Sequence, residues 1–176
     1  DLHRSARVNS SRMTTTPSSP DSENLPTITV VGLGPGDPSL VTEQTKTAIE
    51  AATHRFLRTA RHPSASLVPD AITFDEVYDS AERFSDVYEA IADSLIAAAH
   101  DLGDVLYAVP GSPLILERTV EILRAHSEVR CTVLPAISFL DELWSRLGID
   151  PVDAGVRLID GHRFATEAAE IGRAHV

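Results

Sequence analysis

The chain has 176 residues, 43% of them hydrophobic and 23% charged, with a mean hydropathy of -0.03. That is the composition of a globular domain, and no apolar run approaches the roughly 18 residues that a membrane-spanning helix needs. A formal net charge of -11 and a pI near 4.9 argue against a nucleic-acid partner, and the single cysteine, Cys131, excludes an intrachain disulfide or a cysteine-rich zinc site.

Residues 1–26 carry Ser, Thr, Pro and Asn without apolar periodicity, so they are expected to be disordered or non-native. Met13, the only methionine, is the expected start, with residues 1–12 as upstream read-through. Thr27–Leu33 reads as a β-branched strand that runs into Gly32, Gly34, Pro35, Gly36 and Asp37-Pro38. Thr42 is placed to cap a helix with Ala48, Ile49 and Ala52 as its apolar face. His54–Thr59 reads as a second strand and Ala60–Pro69 as a loop.

The acids Asp75, Glu76, Asp79, Glu82, Asp86 and Glu89 read as a solvated face and loop. Ser85 is expected to cap a helix reaching about His100, with Val87, Ile91, Leu95, Ala98 and Ala99 at helical spacing. Asp104–Val109 is the third strand and ends in the turn Pro110-Gly-Ser-Pro113. A helix around Leu116–His126 follows, then a strand at Arg130–Leu134 holding Cys131 as a buried, inert thiol. A helix at Phe139–Leu147 stops before Gly148, and Val156–Asp160 is expected as a last strand. Ile171-Gly-Arg-Ala-His-Val176 is what a common sequencing-adapter sequence encodes in one frame, so the native protein is expected to continue past about Ala169.

Strands that alternate with helices imply parallel βαβ units, hence an α/β fold with a mostly parallel sheet flanked by helices. The two turns, after the first and third strands, should then open on the same sheet edge, where ligands of such sheets bind. Glycine there tolerates positive φ and brings bare backbone close to a small molecule. A tight turn without a ligand is the alternative for this segment taken alone. The dinucleotide fingerprint G-x-G-x-x-G would need glycine at position 37, where Asp37 stands, and no G-K-[ST] follows.

Four segments occur in order: Gly32-Leu-Gly-Pro-Gly-Asp-Pro38 with Leu40-Val-Thr42, Arg58-Thr-Ala-Arg-His-Pro63, Tyr107-Ala-Val-Pro-Gly-Ser-Pro113, and Leu134-Pro-Ala-Ile-Ser138. Together they resemble the tetrapyrrole methylase family of S-adenosylmethionine (SAM)-dependent methyltransferases over about Thr27 to Thr166. Arg-Thr-x-x-His-Pro and Asp160-Gly-His-Arg-Phe164 resemble the branch at the N-terminus of MazG-type nucleoside triphosphate pyrophosphohydrolases. The resemblance implies two α/β subdomains with SAM between them: residues 27–134 as the first and 135–169 as the start of a truncated second, with 170–176 as the adapter-like, non-native tail.

It further implies that Val109, Pro110, Gly111, Ser112 and Pro113, with Pro135, Ala136 and Ser138, hold the cofactor. Ser112 stands where the family often carries an acid, and Ser138 has an alternative role as a helix cap. Gly34, Pro35, Gly36 and Asp37 would border the cleft on the substrate side, unless Asp37 simply braces its turn. Arg58, Arg61 and His62 form the one compact basic cluster of an acidic chain and would meet an anionic small-molecule substrate. An ordinary solvated loop is the alternative there, and a turn residue without a role is the alternative for His162. No catalytic residue can be named, because methyl transfer needs alignment first and a base only for a protonated acceptor. A cytoplasmic location, a homodimer and a fused C-terminal pyrophosphohydrolase domain in the full gene complete the expectations. The competing function is a non-catalytic regulatory domain of such a pyrophosphohydrolase.

Overall fold

The computed structural model describes residues 25–80 and 83–166. Five strands form one sheet: β1 (Thr27–Gly32), β2 (His54–Leu57), β3 (Ile72–Thr73), β4 (Val105–Val109) and β5 (Arg130–Val133). Their order is β3-β2-β4-β1-β5 and every pairing is parallel, so all five carboxyl ends lie on one edge. β4 sits at the centre with all five residues buried, and its apolar run V-L-Y-A-V is what a strand covered on both faces requires.

Side chains alternate between two cores, as a period of two dictates. Ile28, Val30, Phe56, Val105 and Tyr107 face Val87, Ile91, Leu95 and Ala99 of α3 (Phe84–Leu102) and Val120 and Leu123 of α4 (Arg118–Ala125). Val31, Leu33, Leu57, Leu106 and Ala108 face the opposite way, onto Ile49 of α1 (Glu43–Ala51). The chain leaving β1 therefore enters a helix on one face, and the chain leaving its neighbour β4 enters a helix on the other. That divergence is a topological switch point, and it opens a crevice between the carboxyl ends of β1 and β4.

Local signals set most boundaries. The Thr42 hydroxyl accepts from the Thr45 backbone at 3.2 Å and starts α1. Gly148, at φ 64 and ψ 34, ends α5 (Phe139–Leu147). Ser138 opens α5 with a complete capping box: its hydroxyl accepts from Leu140 N–H, and Asp141 accepts from Ser138 N–H at 2.7 Å.

Three expectations need correction. The long helix begins at Phe84 with Arg83 as its N-cap; Ser85 lies inside it and its hydroxyl donates to Asp86 at 3.0 Å. Residues 156–160 form no strand, because no neighbouring strand is present there to pair with among the described residues. The acidic stretch includes an ordered α2 (Asp75–Ser80) behind the two-residue β3, which Phe74 anchors by stacking on Phe56, centroids 5.9 Å apart. Cys131 is half-buried, and burial pushes its thiol above the ordinary range, away from the reactive thiolate. The N-terminal 24 residues and the C-terminal ten lie outside the described residues.

Candidate functional site

The crevice is built from three strand-end turns. Gly32 ends β1 in direct contact with the other two: a Cβ placed on it would stand 2.3 Å from the Gly111 carbonyl oxygen, 2.5 Å from Ala136 Cβ and 2.8 Å from Pro113 Cδ. Two residues on, Gly34 and Gly111 form an antiparallel bridge across the crevice. Gly111 N–H donates to the Gly34 carbonyl at 2.8 Å, and Gly34 N–H to the Gly111 carbonyl at 3.2 Å. Both residues have positive φ, 68° and 66°, which glycine adopts without strain. The first turn is thus fastened to the second, and the bare backbone of Gly34 serves that bridge.

Asp37 accepts from Ser39 N–H at 2.8 Å and caps the short 3-10 helix Pro38–Leu40. This bond holds its carboxyl below the ordinary range, so Asp37 braces the turn as an anion. The loop after β2 reaches the same turn from the other side. Ser64, fully buried, donates its hydroxyl hydrogen to the Gly36 carbonyl at 2.7 Å, and its N–H donates to His62 Nδ1 at 3.2 Å. Burial keeps His62 below the ordinary imidazole range, with the Gly34 carbonyl as an opposing partner.

Of the three predicted basic residues, only Arg61 is open to solvent, its side chain 72% exposed and near Asp75 at 3.8 Å and Asp79 at 3.5 Å. Arg58 turns inward. Its guanidinium pairs with Glu117, donates to the Tyr78 hydroxyl at 2.7 Å, and lies over the rings of Tyr78 and Tyr88 at 5.6 and 5.5 Å. Burial works against its charge, but Glu117 and Tyr78 outweigh it and keep the group firmly protonated. Glu117 is raised by the same burial, with Arg58 opposing. Glu117 and its tyrosine neighbours went unread in the sequence, because nothing in the spacing of Arg58 and Glu117 marks them as partners.

The fourth segment, Pro135 to Ser138, leaves β5 beside the second turn, with Ala136 against Gly32 and the Ser138 side chain committed to its cap. Next to it, Leu114, Ile115, Phe139, Leu140 and Leu158 line an apolar cavity of about 350 Å³. Asp160 and Gly161 border this cavity and a larger one of about 710 Å³ beside Tyr88 and Arg118. The side chain of His162 lies outside the described side chains. Among the described residues no cluster of His, Cys, Asp and Glu could hold a metal ion, and no helix is long and apolar enough to cross a membrane.

Comparison with known proteins agrees with this architecture. Residues 27–173 match the model of the tetrapyrrole (corrin/porphyrin) methylases. Over 151 residues the chain is 36% identical to YabN, an uncharacterised protein of Bacillus subtilis (strain 168), covering 82% of this chain and 30% of that protein. Among solved structures, the uroporphyrin-III C-methyltransferase from Thermus thermophilus superposes with a TM-score of 0.55 at 22% identity, over 71% of this chain and 54% of that one. A diphthine synthase superposes with a TM-score of 0.54 at 17% identity, over 70% of this chain and 49% of that one. The chain thus spans under a third of its curated relative and about half of these structures, whose likeness establishes the fold. The chain belongs to the tetrapyrrole (corrin/porphyrin) methylase family.

Proposed function

We propose that this chain is a methyltransferase domain that takes its methyl group from SAM, the cofactor the family uses, with an acceptor yet to be identified. The observation that carries this reading is the crevice at the β1/β4 switch point, walled by three turns that meet at Gly32. The groups present fit the cofactor. The backbone N–H groups of Ser112, Ala136 and Ile137 make no hydrogen bond among the described residues, which leaves them for a ligand carboxylate. A Cβ built on Gly111 meets nothing within 4 Å, so a ligand can approach the main chain there.

SAM supplies an electrophilic methyl group on a sulfonium. The protein's part is to hold the cofactor on the turns Val109–Pro113 and Pro135–Ala136 and to align an acceptor against it. Gly34, Pro35, Gly36 and Arg61 border the side open to that acceptor, and the exposed Arg61 suits an anionic one. Asp37 and His62 are engaged in holding the turns, so neither is assigned a proton-transfer role.

Within the family, Arg58-Thr-Ala-Arg-His-Pro63 and Asp160-Gly-His-Arg-Phe164 favour kinship with the N-terminal domains of MazG-type pyrophosphohydrolases. Calorimetry with SAM tests the main reading. Saturable binding supports it. No heat at about 1 mM cofactor, a free energy weaker than about -4 kcal/mol, removes it and leaves the regulatory-domain reading in its place.

A further inference from the structure

We infer that Arg58 and Glu117 are positioning residues that aim the loop Pro110–Leu116, which carries the second turn, and that Arg58 is not a receptor for substrate. The inference rests on the SAM-binding reading and assigns Arg58-Thr-x-x-His-Pro63 to the architecture of that site.

The loop between β4 and α4 is held at two places. Near its start, Gly111 is bridged to Gly34 by two backbone hydrogen bonds. At its end stands Glu117, the N-cap residue of α4. The preferred residues at that position are Ser, Thr, Asp and Asn, whose short side chains accept from the first-turn N–H groups. Glu117 makes no such bond; its side chain reaches across to Arg58 instead. The side chain thus ties the end of the loop to β2 rather than capping the helix. Between the ties the loop's own hydrogen bonds are local, from Ile115 N–H to the Ser112 carbonyl at 3.1 Å and from Leu114 N–H to the Ser112 hydroxyl at 3.5 Å; Pro113 packs on Gly32, and Leu116 sits exposed at φ 55.

Arg58 is a rigid anchor for this tie. Its backbone N–H extends the β2–β4 ladder by donating to the Ala108 carbonyl at 2.9 Å. Its guanidinium is fixed between Tyr78 and Tyr88 and by the Tyr78 hydroxyl. The side chains of Arg58 and Glu117 are only 18% and 3% exposed. An anionic substrate reaching Arg58 would have to displace Glu117 and leave that carboxylate buried without a partner, which is the costly outcome for any buried ion pair. The segment after β2 is fastened elsewhere as well: Thr59 and the Ala60 N–H bond Asp75, and Ser64, the residue after the motif, bonds Gly36. The motif and Ser64 together tie the first turn, the second turn and α2 to one strand end.

The test pairs thermal melting with SAM calorimetry on the whole chain, using Arg58→Met, Glu117→Met, the double variant and Arg58→Lys. Each single Met variant leaves one buried charge unpaired and should melt well below wild type. The double variant removes both charges and should recover most of that loss, since an apolar pair of similar volume commonly replaces a buried ion pair without penalty. It should nevertheless bind SAM about tenfold more weakly or worse, because the loop end is no longer aimed.

Arg58→Lys keeps the charge but not the planar fork, so it should fold and still lose several-fold in SAM affinity. It keeps the inference testable if the Met variants fail to fold. Wild-type affinity in the folded double variant or in Arg58→Lys would overturn the inference while leaving the methyltransferase reading intact. Absence of SAM binding by the wild-type chain would instead remove that reading and this inference with it.

Discussion

Replacing Gly32 by alanine is the most direct perturbation of the crevice. The new methyl group would lie 2.3 Å from the Gly111 oxygen, 2.5 Å from Ala136 Cβ and 2.8 Å from Pro113 Cδ. Ordinary contact needs about 3.5 Å, so the second and third turns would have to retreat by roughly an ångström. None of the three neighbours is the free end of a flexible side chain. One is a backbone carbonyl, one a methyl on the main chain and one a proline ring. Overpacking of this kind costs about 1–3 kcal/mol, and the Gly34–Gly111 bridge that shares the carbonyl adds about 1 kcal/mol for each bond lost. A total near 3 kcal/mol corresponds to a fall in Tm of about 6–12 °C for a domain of this size. Gly103→Ala is the control. Gly103 also has positive φ, 85°, but nothing lies within 4 Å of its built Cβ, and it ends α3 on the opposite side of β4 from the crevice. It should lower Tm through backbone strain alone and leave SAM affinity unchanged, whereas Gly32→Ala should lose both. A Gly32→Ala protein that melts within about 2 °C of wild type and binds SAM normally would refute the convergence of the three turns.

Ser138→Ala removes a complete capping box and should lower Tm by about 2–4 °C, the equivalent of about 1 kcal/mol, with SAM affinity unchanged within about threefold; a large loss of affinity at constant Tm would make the hydroxyl a cofactor ligand. Tyr107→Phe removes a fully buried hydroxyl that has the Thr119 side chain nearby but meets no hydrogen-bond partner, so Tm should hold or rise, and a fall beyond about 4 °C in the melt would contradict this. Asp75 is held below its ordinary pKa by the Thr59 hydroxyl and the Ala60 N–H, so it stabilises the fold above that ordinary value and the contribution is lost as pH falls through the folded one. Asp37 and Asp141 act in the same sense and Glu117, raised by burial, in the opposite one. Melting curves from pH 6 down to about pH 3 should therefore show a decline that is shallower in Asp75→Asn, and an identical slope in both proteins would refute the assignment.

The sequence carried the fold well because the signals that specify it are local. A β-branched run, an apolar period of 3.6 and a capping Thr or Ser each act within a few residues, and Thr42, Ser138 and Gly148 stand at their predicted boundaries. β3 and α2 were illegible for the opposite reason. Ile72 and Thr73 are both exposed, and the element exists because Phe74 packs on Phe56 and Tyr107 from strands distant in sequence. The same holds at the site. Glycines announced the turns, but a reading of sequence could not show that Gly34 would bond Gly111 rather than a ligand. Charge was still harder to read, since the composition of Arg58, Arg61 and His62 looks like an anion site whether or not acids meet them in three dimensions.

Those acids change what the loop can do. Glu117 neutralises Arg58 in the interior, Asp75 and Asp79 stand by Arg61 outside, and burial lowers the pKa of His62. Of the segment that looked like a patch of positive charge, only Arg61 keeps an exposed charge, with two acids beside it. What Arg58, Thr59 and Ser64 contribute is geometry: hydrogen bonds and an ion pair that fix the ends of two turns to one strand. In a displacement whose covalent chemistry resides in the cofactor, alignment is the protein's main contribution to rate, and displacing a reacting atom by one ångström can lower that rate about a hundredfold. On the proposed reading, Arg58, Thr59 and His62, which are spent on holding turns, would be as necessary to methyl transfer as the glycines proposed to border the cofactor.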